Sequence, residues 1–133
     1  MNIYLAGPIF NCTDSECSDW RASACRLLSW ATPLDPMSRD YRGNEASNCE
    51  AIVEGDLRDI ENADAVLANI ARPSWGTAME IRHAFTIGVP VVAFGAASAS
   101  VSPWLIYHCY SISETMLYAV SVLHQLQTAS RRA

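Results

Sequence analysis

Lysine is absent: all nine basic residues of this 133-residue chain are arginine. That excludes Schiff-base chemistry on a lysine amine and the phosphate-binding lysine of a Walker loop. A phosphate would have to be held by arginine, hydroxyls or backbone N–H groups. Positive charge is scarce as well. The formal net charge is -5, whereas nucleic-acid polymers are held by a basic face that releases phosphate counterions. No nucleic-acid polymer is therefore expected as a partner, although a free nucleotide remains compatible. No apolar run approaches the ~20 residues that span a bilayer, so no membrane partner is expected either. Cys12, Cys17, Cys25, Cys49 and Cys109 are an odd set with no CxxC pair, and His83, His108 and His124 supply no ligands at the short spacing of a zinc site. With no secretory leader before the first apolar segment, the thiols read as reduced and the location as cytoplasmic, with no metal and no cofactor.

What is present suits a compact globular protein: half the residues are hydrophobic and 17% are charged. The length is that of one ordinary domain, 1–133, burying about two-thirds of the surface of its unfolded chain. The run Asn2-Ile3-Tyr4-Leu5-Ala6 reads as a buried strand stopped by Gly7-Pro8. A helix follows from Asp14 or Ser15, with Trp20, Ala24, Leu27 and Leu28 on one face. Leu34 lies in a brief extended segment between Pro33 and Pro36. The polar stretch from Asp35 to Ser47 reads as an exposed loop long enough to act as a lid; its Asp35, Arg39 and Arg42 could reach a substrate, but ordinary surface charge is the favoured role.

A helix over Glu50–Asn62 places Ile52, Val53, Leu57 and Ile60 near one face, and the central strand Ala65–Ile70 follows. Beyond Pro73 the pattern predicts a helix over Thr77–Ile87 stopped by Gly88, then the strand Val89–Phe94. The small-residue loop Gly95–Ser100 opens another helical segment. The last helix, Ser113–Gln127, carries Met116, Leu117, Val120 and Leu123 on its core side, and Ala129–Ala133 reads as a loose tail. Strands alternating with helices predict an α/β fold: one doubly wound, flavodoxin- or Rossmann-like parallel sheet of about five strands with helices on both faces. Such sheets bind ligands beyond the carboxyl ends of their strands, here the loops after Ala6, Ile70 and Phe94.

The segment Ala71-Arg72-Pro73-Ser74-Trp75-Gly76-Thr77-Ala78-Met79-Glu80 joins a buried strand to a helix. A hydroxyl and a small residue at a helix start leave backbone N–H groups free to meet an anion. Glu80, about one turn further on, projects toward the cleft that Ser74 and Gly76 would line. Spacing alone equally allows Glu80 to be a first-turn helix acid and Ser74 a cap.

Three stretches carry a resemblance over nearly the whole chain: Ile3-Tyr4-Leu5-Ala6-Gly7, Gly55-Asp56-Leu57 with Ala63-Asp64-Ala65-Val66, and Ser74 to Glu80. Together they resemble the nucleoside 2-deoxyribosyltransferase superfamily. The resemblance implies that Glu80 attacks the anomeric carbon of a sugar, that Tyr4 helps to position it, and that Asp56 approaches the base or sugar. It also implies a homodimer with a shared active site. Gly7, Ile9, Phe10, Ser74, Gly76, Met79 and Ser102 are the corresponding substrate-binding positions. Cleavage of a glycosidic bond passes through an oxocarbenium-like state that a carboxylate stabilises and can trap covalently. Asp56 suits a proton donor if burial raises its pKa. The plainer alternatives are a solvated helix acid beside Arg58 or Asp59 for Asp56, and a packed strand aromatic for Tyr4.

Base-exchanging transferases of this kind resemble one another in having an acidic residue where Ser74 stands, whereas the nucleoside 5'-monophosphate N-glycosidases have serine there. The latter also hold the phosphate with a serine from the partner subunit. Ser102 in Val101-Ser102-Pro103 is the nearest match, with Ser98 and Ser100 as register alternatives and a helix cap as its other reading. The transferases place a C-terminal aromatic at the neighbour's site, and this sequence ends Ser130-Arg131-Arg132-Ala133. The expectation is hydrolysis of a (deoxy)nucleoside 5'-monophosphate. Base exchange between deoxynucleosides and a catalytically silent nucleotide-binding module are the alternatives. Trp75 and Phe10 depart from the pattern, and both are aromatics that could stack on a base or simply pack.

Overall fold

The computed structural model describes residues 1–132. In chain order the regular elements are β1 (Asn2–Ala6), α1 (Asp14–Leu27), β2 (Thr32–Leu34), α2 (Cys49–Glu61) and β3 (Ala65–Asn69). They continue with α3 (Trp75–Thr86), β4 (Val91–Phe94), α4 (Pro103–His108), β5 (Ser111–Ser113) and α5 (Met116–Ser130). The five strands form one sheet in the order β2-β1-β3-β4-β5, all parallel. This is the doubly wound α/β arrangement expected, in its flavodoxin-like strand order.

Strand alternation divides the core in two. Ile3, Leu5, Leu67, Val92 and Phe94 point to the face covered by Ala24 of α1 and by Ala119 and Leu123 of α5. Tyr4, Ala6, Val66, Ala68, Val91 and Ala93 point to the opposite face, against Ile60 of α2 and Ile81 and Ala84 of α3. Period-two side-chain geometry thus places the Tyr4 ring on the side where α2 and α3 lie. The chain winds outward in both directions from β1 and β3, so the cleft at the switch point opens between the loops that follow these two strands. Gly7 keeps that cleft low: a Cβ there would lie 2.5 Å from Trp20 Cζ2 and 3.2 Å from Asn69 Cβ.

Several boundaries differ from the expectations. α1 is fixed at Thr13, whose hydroxyl and Glu16 form a reciprocal capping box. α3 starts at Trp75 because Ser74 supplies the cap, two residues earlier than the pattern predicts. β4 starts at Val91 rather than Val89. The loop Gly95–Ser100 ends in a short 3-10 turn, and α4 begins only at Pro103. Ser113 ends β5 instead of opening a helix; Thr115 caps α5, which runs to Ser130 and so takes in residues 129 and 130 of the expected tail. Of that tail, Ala133 lies outside the described residues. Leu117, Leu27 and Val53, expected on inner helix faces, are exposed.

The loop from 35 to 48 is not simply exposed. Pro36–Arg39 and Glu45–Ser47 form 3-10 turns, and ion pairs pin the segment to the helices beside it. The deepest involves Arg21 of α1, which is only 1% exposed. Its Nη2 donates to the Gly7 carbonyl at 3.0 Å, its Nη1 to the Cys17 carbonyl at 2.7 Å, and its Nε lies 3.3 Å from Asp35 Oδ1. The guanidinium also sits over the Trp20 ring, 4.4 Å from its centroid. Asp35 in turn caps the Pro36–Arg39 turn by accepting from the Met37 N–H. One buried cation therefore braces both the loop after β1 and the loop after β2. Breaking this arrangement with Arg21→Ala is expected to cost about 3 kcal/mol, read as a lowered urea midpoint, whereas Asp35→Asn costs less because Asp35 keeps water contact.

Candidate functional site

Each candidate side chain reaches the switch-point cleft by a short route from the core. Glu80 sits on α3 three residues after the buried Thr77 and four before the buried Ala84, so helical spacing turns it toward the sheet rather than toward water. Asp56 stands four residues before the buried Ile60 on α2 and is turned inward by the same rule. Tyr4 rises between them from β1. Its hydroxyl donates to Glu80 Oε1 at 2.8 Å.

These three groups line or underlie one cavity. Gly7, Ile9 and Phe10 wall it from the loop after β1; Asp56 comes from α2, and Ser74, Gly76 and Glu80 come from the start of α3. Pro36, Met37 and Arg39 close the remaining side. Ser74 accepts a hydrogen bond from the Thr77 N–H at 3.3 Å, and the Thr77 hydroxyl donates to it at 3.1 Å. A Cβ added at Gly76 would meet nothing within 4 Å, so the chain itself does not demand glycine there.

Two expected positions lie elsewhere. Met79 lines no part of this cavity and is 72% exposed. Ser102 caps α4, accepting from the Trp104 N–H at 3.3 Å, and lines an adjoining groove together with Ser100. Ser98 lines neither. The groove shares Ser74 and Thr77 with the cavity, and Trp75, 89% exposed, faces it. Trp75 is therefore not a packed aromatic. Phe10 is also largely exposed, at the cavity mouth.

The loop charges read as ordinary surface groups are corrected by the structure. Arg39 Nη2 lies 3.1 Å from Asp56 Oδ1 and 2.7 Å from Asp59 Oδ2, which makes it part of the cavity wall. Asp35 is the partner of the buried Arg21. Arg42 also lines the cavity and pairs with Asp14 and with Asp40. Asp56 is likewise not a solvated acid beside Arg58. The signal that reveals it in sequence is its place on the Ile52–Asp56–Ile60 stripe of an amphipathic helix. Arg39 has no comparable signal, because its partners are 17 and 20 residues away.

Electrostatics separate the two carboxyls. Loss of water around Glu80, then the nearby charge of Asp56, raise its pKa from 4.5 to about 8. Hydrogen bonding from Tyr4 and the charge of Arg21 oppose this rise without cancelling it. Asp56 is also raised, mainly by burial, but Arg39 offsets part of the effect. Tyr4 is raised by burial and then by the Glu80 charge, so it stays a proton donor. Burial thus raises both carboxyls, Glu80 to about 8, while direct contact with Arg39 holds Asp56 back.

A family model described as nucleoside 2-deoxyribosyltransferase matches residues 3–120. A search of the curated proteins finds no match. Among solved structures, the chain is similar to a 2-deoxyribosyltransferase from Bacillus psychrosaccharolyticus, with 21% identity and a TM-score of 0.70 over 86% of this chain and 87% of that one. It is also similar to a conserved protein from Enterococcus faecalis V583, with 19% identity and a TM-score of 0.58 over 93% of this chain and 86% of that one. At these identities both likenesses are of fold.

A carboxyl whose pKa is raised on folding stabilises least when it must ionise. Stability linked to Glu80 is fully present below the unfolded carboxylate range and is lost as pH rises from about 4.5 through about 8. Glu80→Gln removes that dependence. Its Tm is expected to exceed that of the unmodified protein at pH 9 and to converge with it near pH 5, as read by thermal melts across pH; parallel curves would show that Glu80 does not titrate as described.

Proposed function

The chain belongs to the nucleoside 2-deoxyribosyltransferase family, and on that footing we propose that it hydrolyses the N-glycosidic bond of a (deoxy)nucleoside 5'-monophosphate. The observation that carries this reading is the desolvated pair Glu80 and Asp56, with the Tyr4 hydroxyl bound to Glu80, in one cavity at the switch point. Glu80 is the nucleophile. One of its oxygens attacks C1' of the sugar as the C1'–N bond breaks, and the bonding electrons leave with the base, which takes a proton from Asp56. Water, deprotonated by the Asp56 carboxylate, then attacks C1' and expels Glu80. Two displacements at one carbon retain configuration, and the products are free base and (deoxy)ribose 5-phosphate. No cofactor enters this scheme.

Nucleotide binding has to redistribute the proton. The electron-poor anomeric carbon favours an ionised Glu80, while exclusion of water from the cavity disfavours the Asp56 anion, so the proton passes toward the group that delivers it to the base. Tyr4 keeps its own proton throughout and holds the nucleophile in place.

The phosphate end rests on Ser74 and on the N-terminus of α3. A hydroxyl donates to phosphate oxygen, whereas a carboxylate at the same point would repel it. The free space at Gly76 suits a ligand approaching the backbone closely. Ser102 completes the phosphate site from a second copy of the chain. The exposed apolar side chains of Trp75 on α3 and Trp104 on α4, which line the groove holding both Ser102 and Ser74, support such a homodimer, and Met79 on α3 is exposed as well. Met79 then belongs to the composite site.

Base exchange between deoxynucleosides uses the same nucleophile and is the second reading, favoured by the fold shared with the Bacillus enzyme. A silent binding module is the third. Nucleoside monophosphates and the matching nucleosides, each with and without a free base, distinguish them when chromatography follows released base. Base release from a monophosphate without acceptor is expected, with a loss of about 10³-fold or more in Glu80→Ala. Ser74→Asp is expected to lower kcat/KM for the monophosphate by about tenfold or more and to spare the nucleoside. Activity confined to nucleosides plus free base selects the transferase; nucleotide binding without base release by any form selects the module.

If the site is shared between protomers, mixing inactive Glu80→Ala chains with Ser102→Ala chains, followed by denaturation and refolding, restores part of the activity by forming heterodimers with one intact site. Additivity of the two separate residual rates would rule out a contribution from the second copy.

A further inference from the structure

Arg39 occupies a slot that α2 keeps open for it. Its guanidinium bonds Asp56 at 3.1 Å and Asp59 at 2.7 Å, two carboxyls three residues apart and hence on one side of the helix. Between them and the preceding turn the cation passes over Gly55, where a Cβ would lie 2.8 Å from Nε and 3.3 Å from Cζ. A glycine inside a helix weakens it relative to alanine, and here it leaves room for one arginine. The loop bearing Arg39 is itself capped by Asp35 and braced by Arg21. The cation is held from both sides.

We propose that Arg39 is the positioning residue that assigns the shared proton of the site: by keeping Asp56 as the anion, it leaves the proton on Glu80 in the free protein. This rests on the reading of Glu80 and Asp56 as the reacting pair. The other charges facing the two groups do not make the same assignment. Asp59 on its own helix disfavours the ionisation of Asp56, and the charge of Asp56 in turn disfavours that of Glu80 on α3. Tyr4, from β1, donates to Glu80 and bears weakly on Asp56. Arg21, from α1, acts on Glu80 and is already bound to Asp35. Arg42, from the same loop as Arg39, pairs with Asp14 and Asp40. Arg39 is the cation in bonding contact with Asp56.

Carbon-13 NMR of carboxyl-labelled aspartate and glutamate, assigned through Asp56→Asn and Glu80→Gln, reads the proton directly and needs no substrate. In the unmodified protein Asp56 is expected to ionise before Glu80. In Arg39→Gln, and in Gly55→Ala, which crowds the guanidinium out, the Asp56 midpoint is expected to rise by about one pH unit or more, closing or inverting the gap to Glu80. Arg39→Lys should recover part of the original order. Unchanged midpoints in folded Arg39→Gln overturn the proposal, whether or not Gly55→Ala folds. With substrate, the pH profile of kcat/KM reports free-enzyme ionisations and is expected to move with Asp56 in Arg39→Gln. A uniformly lowered rate with an unmoved profile marks a merely structural arginine and overturns it too. A protein that releases no base from any nucleotide defeats the proposed function while leaving the carboxyl titration to decide the role of Arg39.

Discussion

The hydrogen bond from the Tyr4 hydroxyl to Glu80 joins β1, an inner strand of the sheet, to the helix that carries the desolvated acid. Its geometry depends on the alternation of β1, which sends Ile3 and Leu5 to one layer and Tyr4 to the other. Shifting the register of β1 by one residue would move the phenol to the wrong side of the sheet and leave Glu80 unsupported. The same bond limits how far desolvation destabilises the Glu80 anion, because a buried carboxylate without a donor is far more costly than one with a donor. Strand register, acid chemistry and cavity polarity are thus one constraint seen at three scales.

The switch-point architecture explains why so small a protein can place several functional groups together. β1 and β3 are neighbours in the sheet although 58 residues lie between Ala6 and Ala65, and each releases its following loop at the same edge. Gly7 lets the first loop press against Trp20 and Asn69, while Ser74 starts α3 at once after the second. Arg21 then ties the first loop to the segment after β2. The cavity is consequently walled by four stretches of chain that no local fragment contains.

Much of this was legible in the sequence where physics is local. β1 and β3 are uninterrupted apolar runs between turn residues, and α2 shows its period plainly, so a parallel sheet with helices on both faces is readable. β5 escaped notice because Ser-Ile-Ser is short and polar; it is an edge strand held by backbone pairing to β4. The start of α5 was misplaced because Ser113 and Thr115 are both plausible caps, and only the sheet decides that Ser113 belongs to a strand. Glu80 stood out through the segment around it, yet its inward aim depends on Thr77 and Ala84 being buried, which is a tertiary fact. The partners of the charges in the 35–48 loop are illegible for a related reason. Asp35, Arg39 and Arg42 resemble solvated surface groups until the fold brings Arg21, Asp56 and Asp14 to them.

The lack of lysine acquires a meaning at the cavity. Every cation that braces or lines it, Arg21, Arg39 and Arg42, is a guanidinium, and such groups do not surrender a proton in the range where proteins remain folded. They act as a fixed positive background. Alkaline solution therefore cannot switch this pocket off by discharging an amine, as it can in sites built on lysine, and whatever response it shows to pH is written by its acids alone.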